Sequence, residues 1–363
     1  MAERSDLYHD ARVQKEANSL TRNGYKVIVF GLRSTLENID DKYSYKMITN
    51  YVLPRKFQIF RKFHLMILII YINIKILFVR ANKYHAHNTF FLPGMYVSKM
   101  IYGGVLIYDS HEVQWESSKL ASLKEKYFIN KVDKIINVSH GRAQAQAERY
   151  NIPINNICVI SNYPMLSKNI IQKQKIGNDK YTRFVFSGGL SLIDNKIDNF
   201  IRAIKDYPEI SFDLLAFFYD NSEVILKNLI KDYKLEDRVK FLPLVKPKEV
   251  LSTITEYDFT VNLMTNPKNL ISINFHSINK IYEAISAGLP ILCSNLPSFK
   301  EEIVDNGIGY SVNPFSVDSI KKGIEAIKKN NYRVMCEKAF AISEKKFNWA
   351  NEEIKLINLY NSL

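Results

Sequence analysis

Apolar residues along this chain fall into two alternating series, short continuous runs and helical repeats. The clearest repeat is Ile278, Ile281, Tyr282 and Ile285, at i, i+3, i+4 and i+7. It predicts a helix over 277–287, with Ser277 as N-cap, Gly288 as stop and Pro290 beyond it. A short buried strand of Ile291, Leu292 and Cys293 follows. Earlier in the chain, Val13, Ala17 and Leu20 mark a helix over 10–23. Apolar runs at 27–30, 105–108, 134–138 and 158–160 read as strands, and 84–87 as a further short one. The second series has strands at 184–186, 212–218, 239–242 and 259–263, with helices at 197–204, 224–233 and 248–254 between them. Ile320, Ile324 and Ile327 mark a late helix, and Ile354, Ile357 and Tyr360 lie on one side of a last one. Strands alternating with helices imply an α/β protein with parallel sheets. The polar, Lys-rich stretch 166–180 reads as a linker between domains at 1–165 and 181–345, with 346–363 a closing helix expected to pack back on the first. The two halves suggest doubly wound domains facing a cleft.

Composition narrows this only a little. With 47% hydrophobic and 24% charged residues, 363 residues make an ordinary globular chain of two domains. Cys158, Cys293 and Cys336 are odd in number and far apart, which fits a reducing, cytoplasmic setting. The opening MAERSDLYHD has no apolar core of a secretory signal. A net charge of +13 suits nucleic acid, an anionic membrane surface or a phosphate-bearing substrate. The basic residues are widely spread and form no nucleic-acid module, so nucleic acid is not expected. The run 63–79 is interrupted by His64, Asn73 and Lys75 and is too short for a span. It reads as a buried helix or, given Arg55, Lys56, Arg61, Lys62, Arg80 and Lys83 around it, as one lying on an anionic leaflet.

Candidate chemistry gathers at strand and helix ends. Lys280 and Glu283 point away from the apolar stripe of their helix, where a helix start favours an anion; the alternative is an ordinary solvated pair. Ser187-Gly188-Gly189 closes a strand, either as a loop for phosphate or as a plain turn. His111 ends the strand 105–108 within Asp109-Ser110-His111-Glu112, a place where ligands bind in parallel sheets, although a lone His is often structural. His85 and His87 have metal-like spacing without a third ligand in sequence, so they read as structural or acceptor-side.

Taken in order, DARVQKEANSL, GYKVIVFGL, IYDSHE, VDKIINVS, ICVISNYP and above all KIYEAISAGLPILCSNLPSFKEEIVDNGIGYSVNP resemble a retaining glycosyltransferase of the GT-B fold, in the large family usually numbered four. The resemblance covers nearly the whole chain. It implies two Rossmann-like domains facing a central cleft, a nucleotide-sugar donor held mainly by the second domain, an acceptor held by the first, and neither metal nor separate cofactor. By motif, Glu283 is expected on the donor ribose and Lys280 on its diphosphate. Ser187, Gly188 and Gly189 would approach the phosphates, with Lys196 a further phosphate contact, and Pro297, Ser298 and Phe299 would bring backbone amides. His111 would face the transferred sugar, while Asp10 and Arg12 would line the acceptor side; their plainer readings are a helix cap and a solvated cation.

The chain departs from the family pattern in four places. Met1 to Tyr8 is polar where an apolar first strand is normal, which leaves open whether that strand forms. Phe275 stands where a second acidic residue is common, Gly189 where an Arg is common, and Phe218-Tyr219-Asp220-Asn221 replaces a glycine-rich turn. The expected reaction is transfer of a sugar to a saccharide or lipid-linked saccharide, in cell-envelope glycan synthesis at the inner membrane face. Residues 1–80 hold 14 Lys and Arg against 7 Asp and Glu, which fits such a surface. The alternatives are a sugar-nucleotide 2-epimerase of similar fold and an inactive transferase-like protein.

Overall fold

The computed structural model describes residues 1–8, 10–34, 44–53, 58–166, 181–266, 268, 270–276 and 278–363. The expected linker, apart from its first residue, and the N-cap residue Ser277 lie outside the described residues. The chain divides into two compact units, Met1–Asn162 with Phe275–Ser277 and Trp349–Leu363, and Tyr163–Asn274 with Ile278–Asn348.

The first unit contains β1 (Ala2–Asp6), α1 (Ala11–Arg22), β2 (Ile28–Arg33), β3 (Lys46–Tyr51), α2 (Gln58–Ile76), β4 (Lys83–Ala86), α3 (Leu92–Tyr102) and β5 (Val105–Ser110). It continues through α4 (Gln114–Ser117), α5 (Lys119–Phe128), β6 (Lys134–Asn137), α6 (His140–Tyr150) and β7 (Ile157–Val159). The strands form one parallel sheet in the order β3-β2-β1-β4-β5-β6-β7. The polar opening therefore does form the first strand, in the middle of the sheet. Backbone bonds hold it there: Phe30 N–H donates to the Met1 carbonyl and His87 N–H to that of Ala2, at 2.9 and 3.0 Å. Its small Ala2 is fully buried against the neighbouring apolar strands. A strand paired on both sides does not need an apolar side chain at every position.

The second unit contains β8 (Thr182–Leu190), α7 (Ile197–Ile204), β9 (Ile210–Phe218), α8 (Ser222–Asp232), β10 (Val239–Phe241), α9 (Pro247–Ile254) and β11 (Phe259–Asn262). After these come α10 (Ile271–Asn274), α11 (Asn279–Ser286), β12 (Ile291–Ser294), α12 (Pro297–Phe299), a π-turn over Lys300–Val304, β13 (Gly309–Val312), α13 (Val317–Lys329) and α14 (Tyr332–Lys345). The sheet order is β10-β9-β8-β11-β12-β13, again parallel. One departure from the sequence reading matters. Ser187, Gly188 and Gly189 are not a loop after a strand but lie within it, one residue short of its end, paired in register with Leu215, Ala216 and Phe217 of β9. Phe184, Phe200, Phe212 and Phe259 fill the core beneath, with ring centroids 4.8–5.3 Å apart. Each contributes about 1.5–3 kcal/mol by leaving water.

The last helix, α15 (Trp349–Asn361), belongs to the first unit. Trp349, Leu356, Leu359 and Tyr360 are buried with Val13, Ala17 and Leu20 of α1. Both sheets reverse direction at one point, between β1 and β4 and between β8 and β11, and ligands of doubly wound folds bind at the carboxyl side of such points.

Candidate functional site

In the second unit the reversal point carries Lys280 and Gly188. The helix α11 starts from Ile278, an N-cap whose side chain makes no capping bond. Ile281, Tyr282 and Ile285 anchor its inner face. Lys280 and Glu283 are half-buried on its other side. The Lys280 ammonium lies 4.4 Å from the centre of the Phe186 ring. Although the residue keeps some surface, burial of the ammonium pulls its pKa down to about 8, with Glu283 acting in the opposite direction.

Gly188 has φ +111°, which side chains rarely adopt, and a β-carbon there would lie 3.6 Å from Lys280 Cδ and 3.9 Å from its Nζ. The bare backbone of β8 and the lysine ammonium thus face one space. At Gly189 a β-carbon would overlap the Tyr219 ring. That tyrosine comes from the segment that replaces a glycine-rich turn.

The other expected donor-side residues have partners of their own. Lys196 Nζ donates to the Leu192 carbonyl at 2.6 Å, folding the side chain onto its own loop. Pro297 opens α12 as its first residue, while the Phe299 side chain is fully buried in the core and Ser298 is buried beside it. Only the backbone of that turn is suited to meet a ligand.

In the first unit the reversal point holds a buried polar network. Asp10 caps α1 by accepting from the N–H groups of Arg12 and Val13, both at 3.1 Å. Arg12 is neither solvated nor at an open acceptor surface; it is buried, and its guanidinium grips Asp109 of β5 through Nε at 2.7 Å and through a second nitrogen at 3.0 Å. The same guanidinium donates to the Ile160 carbonyl at 2.9 Å. Glu16, one turn along α1, stands 3.1 Å from Arg12 Nε, whose N–H points to Asp109. Burial pushes the Glu16 carboxyl up to about 8; Arg12 opposes that and Asp109 reinforces it. Burial alone would raise Asp109 too, but Arg12 and the neighbouring histidines hold it well below the usual range.

His85 and His87 stack with ring centroids 4.3 Å apart. His87 Nδ1 donates to Asp109 at 3.0 Å, and His85 Nδ1 is hydrogen-bonded to the Tyr360 hydroxyl at 2.7 Å. Burial keeps both below the usual histidine range. His111 is less enclosed. Its Nδ1 lies 3.8 Å from Asp109 and its Nε2 3.9 Å from Glu3, ionic contacts too long for hydrogen bonds. Burial would lower its pKa, but Asp109 and Glu3 outweigh that and raise it to about 9. His111 borders a cleft of about 590 Å³ whose wall includes Arg4, Arg33, Asn88 and, from α2, Arg61 and Leu65.

Among the described residues, two groups offer ligand atoms within 4.8 Å of one another: Glu16, His85, His87 and Asp109, and Glu3, His87 and His111. The two histidines spaced like metal ligands therefore do have further partners, from α1 and β5. Arg12 already supplies the positive charge facing Glu16 and Asp109, so a metal there would share its donors with a guanidinium. Glu16, Asp109 and Tyr360 were not singled out from sequence. Their only trace was the i, i+4 spacing of Arg12 and Glu16 and the position of Asp109 at a strand end.

Residues 167–346 match the family described as glycosyl transferases group 1. The O-antigen chain mannosyltransferase B of Escherichia coli is 32% identical over 84 residues, which is 23% of this chain and 22% of that protein. HepE of Anabaena, solved in complex with UDP and glucose, superposes on 100% of this chain and 98% of its own at a TM-score of 0.74, with 15% identity. A glycosyltransferase of Rickettsia africae covers 99% of this chain and 97% of its own at 0.73, with 13% identity. The lipopolysaccharide outer core galactosyltransferase WaaB, in its apo form, covers 100% and 98% at 0.67, also with 13% identity. At these identities the solved structures establish the two-domain GT-B fold.

Proposed function

We propose that this chain, which belongs to the group 1 glycosyl transferases, moves a sugar from a nucleotide-sugar donor to a saccharide or lipid-linked saccharide acceptor. The observation that carries the reading is the pairing of Lys280 with Gly188, a half-buried cation against bare backbone at the carboxyl end of β8. A nucleoside diphosphate gains negative charge as the glycosidic bond breaks, and a cation fixed in a desolvated place stabilises that charge strongly. Glu283, one turn along α11, is the group proposed for the ribose hydroxyls, and the amides of Ser298 and Phe299 for further donor contacts. HepE in complex with UDP supports a nucleotide of that type.

The transfer is proposed to retain configuration without a divalent metal. The bond from the anomeric carbon to the acceptor oxygen forms on the face from which the diphosphate leaves, and the hydroxyl proton passes to a phosphate oxygen. The cleft beside His111 is the proposed acceptor side, where an imidazolium near neutral pH can donate to a sugar oxygen. The O-antigen and lipopolysaccharide relatives support a cell-envelope glycan as product.

The test is thermal stabilisation by a panel of UDP-, GDP- and ADP-sugars with and without EDTA, followed by product analysis. One donor should raise the melting temperature whether or not EDTA is present, and turnover should require an acceptor. No stabilisation by any nucleotide would remove the donor site. Release of a free epimer without acceptor would assign the chain to epimerisation instead.

A further inference from the structure

The cleft beside His111 lies at the carboxyl end of the first sheet, where β1, β2 and β3 end and α2 begins. The polar strand β1 gives this cleft charge in place of an apolar lining. The acids of the wall are answered locally. Glu3 accepts from Arg4 N–H at 2.6 Å and from Asn88 Nδ2 at 3.0 Å. Asp6 accepts from Ser34 N–H at 2.9 Å, from the Ser34 hydroxyl and from Tyr8 N–H at 3.1 Å. Glu112 accepts from Gln114 Nε2 at 3.4 Å.

The cations of the same wall are not answered. Arg4 and Arg61 line the cleft, and neither guanidinium donates a hydrogen bond or enters an ion pair among the described residues. Arg4 lies over the Phe90 ring, 4.5 Å from its centre, and Lys124 of α5 reaches the same ring at 4.7 Å. Burial, and then the charge of Arg4, lowers the Lys124 pKa. Two like charges gathered on one ring repel each other, and an anion beside them relieves that repulsion. His111 adds an imidazolium near neutral pH to the same wall.

A guanidinium meets a carboxylate or a phosphate through two parallel N–H groups. The acids of the wall choose between the two. Glu3, Asp6 and Glu112 remain around the cleft, and their repulsion grows with the charge of whatever enters. A carboxylate brings a single negative charge, whereas a phosphate monoester brings about 1.5 to 2 at neutral pH. We propose that the acceptor is an acidic saccharide, with a sugar carboxylate held by Arg4 and Arg61 and its hydroxyls toward His111. The carboxylate orients the acceptor and takes no part in the bond that forms. The proposal rests on the transferase reading and names the class of acceptor within it.

The test uses the full chain and two separate readouts. Binding of methyl β-D-glucuronide, methyl β-D-glucoside and glucose 6-phosphate is followed by saturation-transfer NMR, and donor binding by the thermal shift with nucleotide-sugars. The glucuronide should bind at least about tenfold more tightly than the neutral glucoside, and more tightly than the phosphate. Arg4→Gln with Arg61→Gln should erase that preference, with circular dichroism and the nucleotide-induced shift unchanged. Arg61→Gln alone should lower the preference at least about threefold, and it serves where the pair does not fold. Absence of glucuronide binding, equal binding of the glucoside, or a preference that survives these substitutions would overturn the proposal. Tighter binding of glucose 6-phosphate would overturn the carboxylate in favour of a phosphate. A chain stabilised by no nucleotide that still prefers the glucuronide would remove the transferase reading alone, so the two failures are told apart.

Discussion

The two sheets have the same strand order around the same kind of reversal point, yet they equip it differently. In the first unit Arg12, Asp109 and His87 bond one another in a buried network, while the Glu16 carboxyl and the Nε2 atoms of His85 and His87 are buried without a hydrogen bond among the described residues. In the second unit Lys280 donates no hydrogen bond among the described residues and rests on an aromatic ring beside a glycine. Charges that satisfy each other fix a structure. A desolvated ammonium without a bonded anion is held ready for one, and its burial lowers its pKa to about 8.

The largest effect should come from breaking the buried Arg12–Asp109 pair. Arg12→Ala leaves Asp109 buried without its cation and should destabilise the chain by about 3–5 kcal/mol in denaturant unfolding. A loss near that of a surface ion pair would show that the network is not structural.

Lys280→Met should do the reverse. Turnover should fall about 10²–10³-fold, with the melting temperature kept or raised, because a desolvated charge is removed. In the wild type, donor affinity should weaken as pH rises through about 8, where Lys280 loses its proton. A flat profile across that range would detach Lys280 from the diphosphate.

The smallest expected effect is at Glu16. Its carboxyl titrates at about 8 when folded and near the ordinary glutamate value when unfolded, so the folded state holds the extra proton between those limits. Stability should therefore fall as pH rises through that window. Glu16→Gln should flatten the fall by about 1 kcal/mol or more. An unchanged pH dependence of unfolding would place the titrating group elsewhere.

Most of the architecture was legible because apolar runs and helical repeats alternate wherever a strand or helix has a side facing the core. β1 was not, since AERSD has a single apolar residue and is secured by its ladders. α2 was read as a helix, but α3 and α5 were not singled out, nor were the cations near the His111 cleft, because only the fold brings Arg4 of β1 to Arg61 of α2 and Lys124 of α5. On the donor side, Lys280 and Gly188 were readable as motif residues, and their mutual contact was not. The first-unit network joins α1, β4, β5 and α15, and pairwise spacing in sequence says little about groups drawn from four elements.

Helix α15 has a consequence for how the chain is made. Trp349 donates to Ser19 at 3.0 Å, Glu352 accepts from Ser161 N–H at 2.7 Å, and Tyr360 closes over His85. Ser19 of α1 is thus covered by a residue translated 330 positions later. Until α15 follows, the α1 side of this sheet stays uncovered.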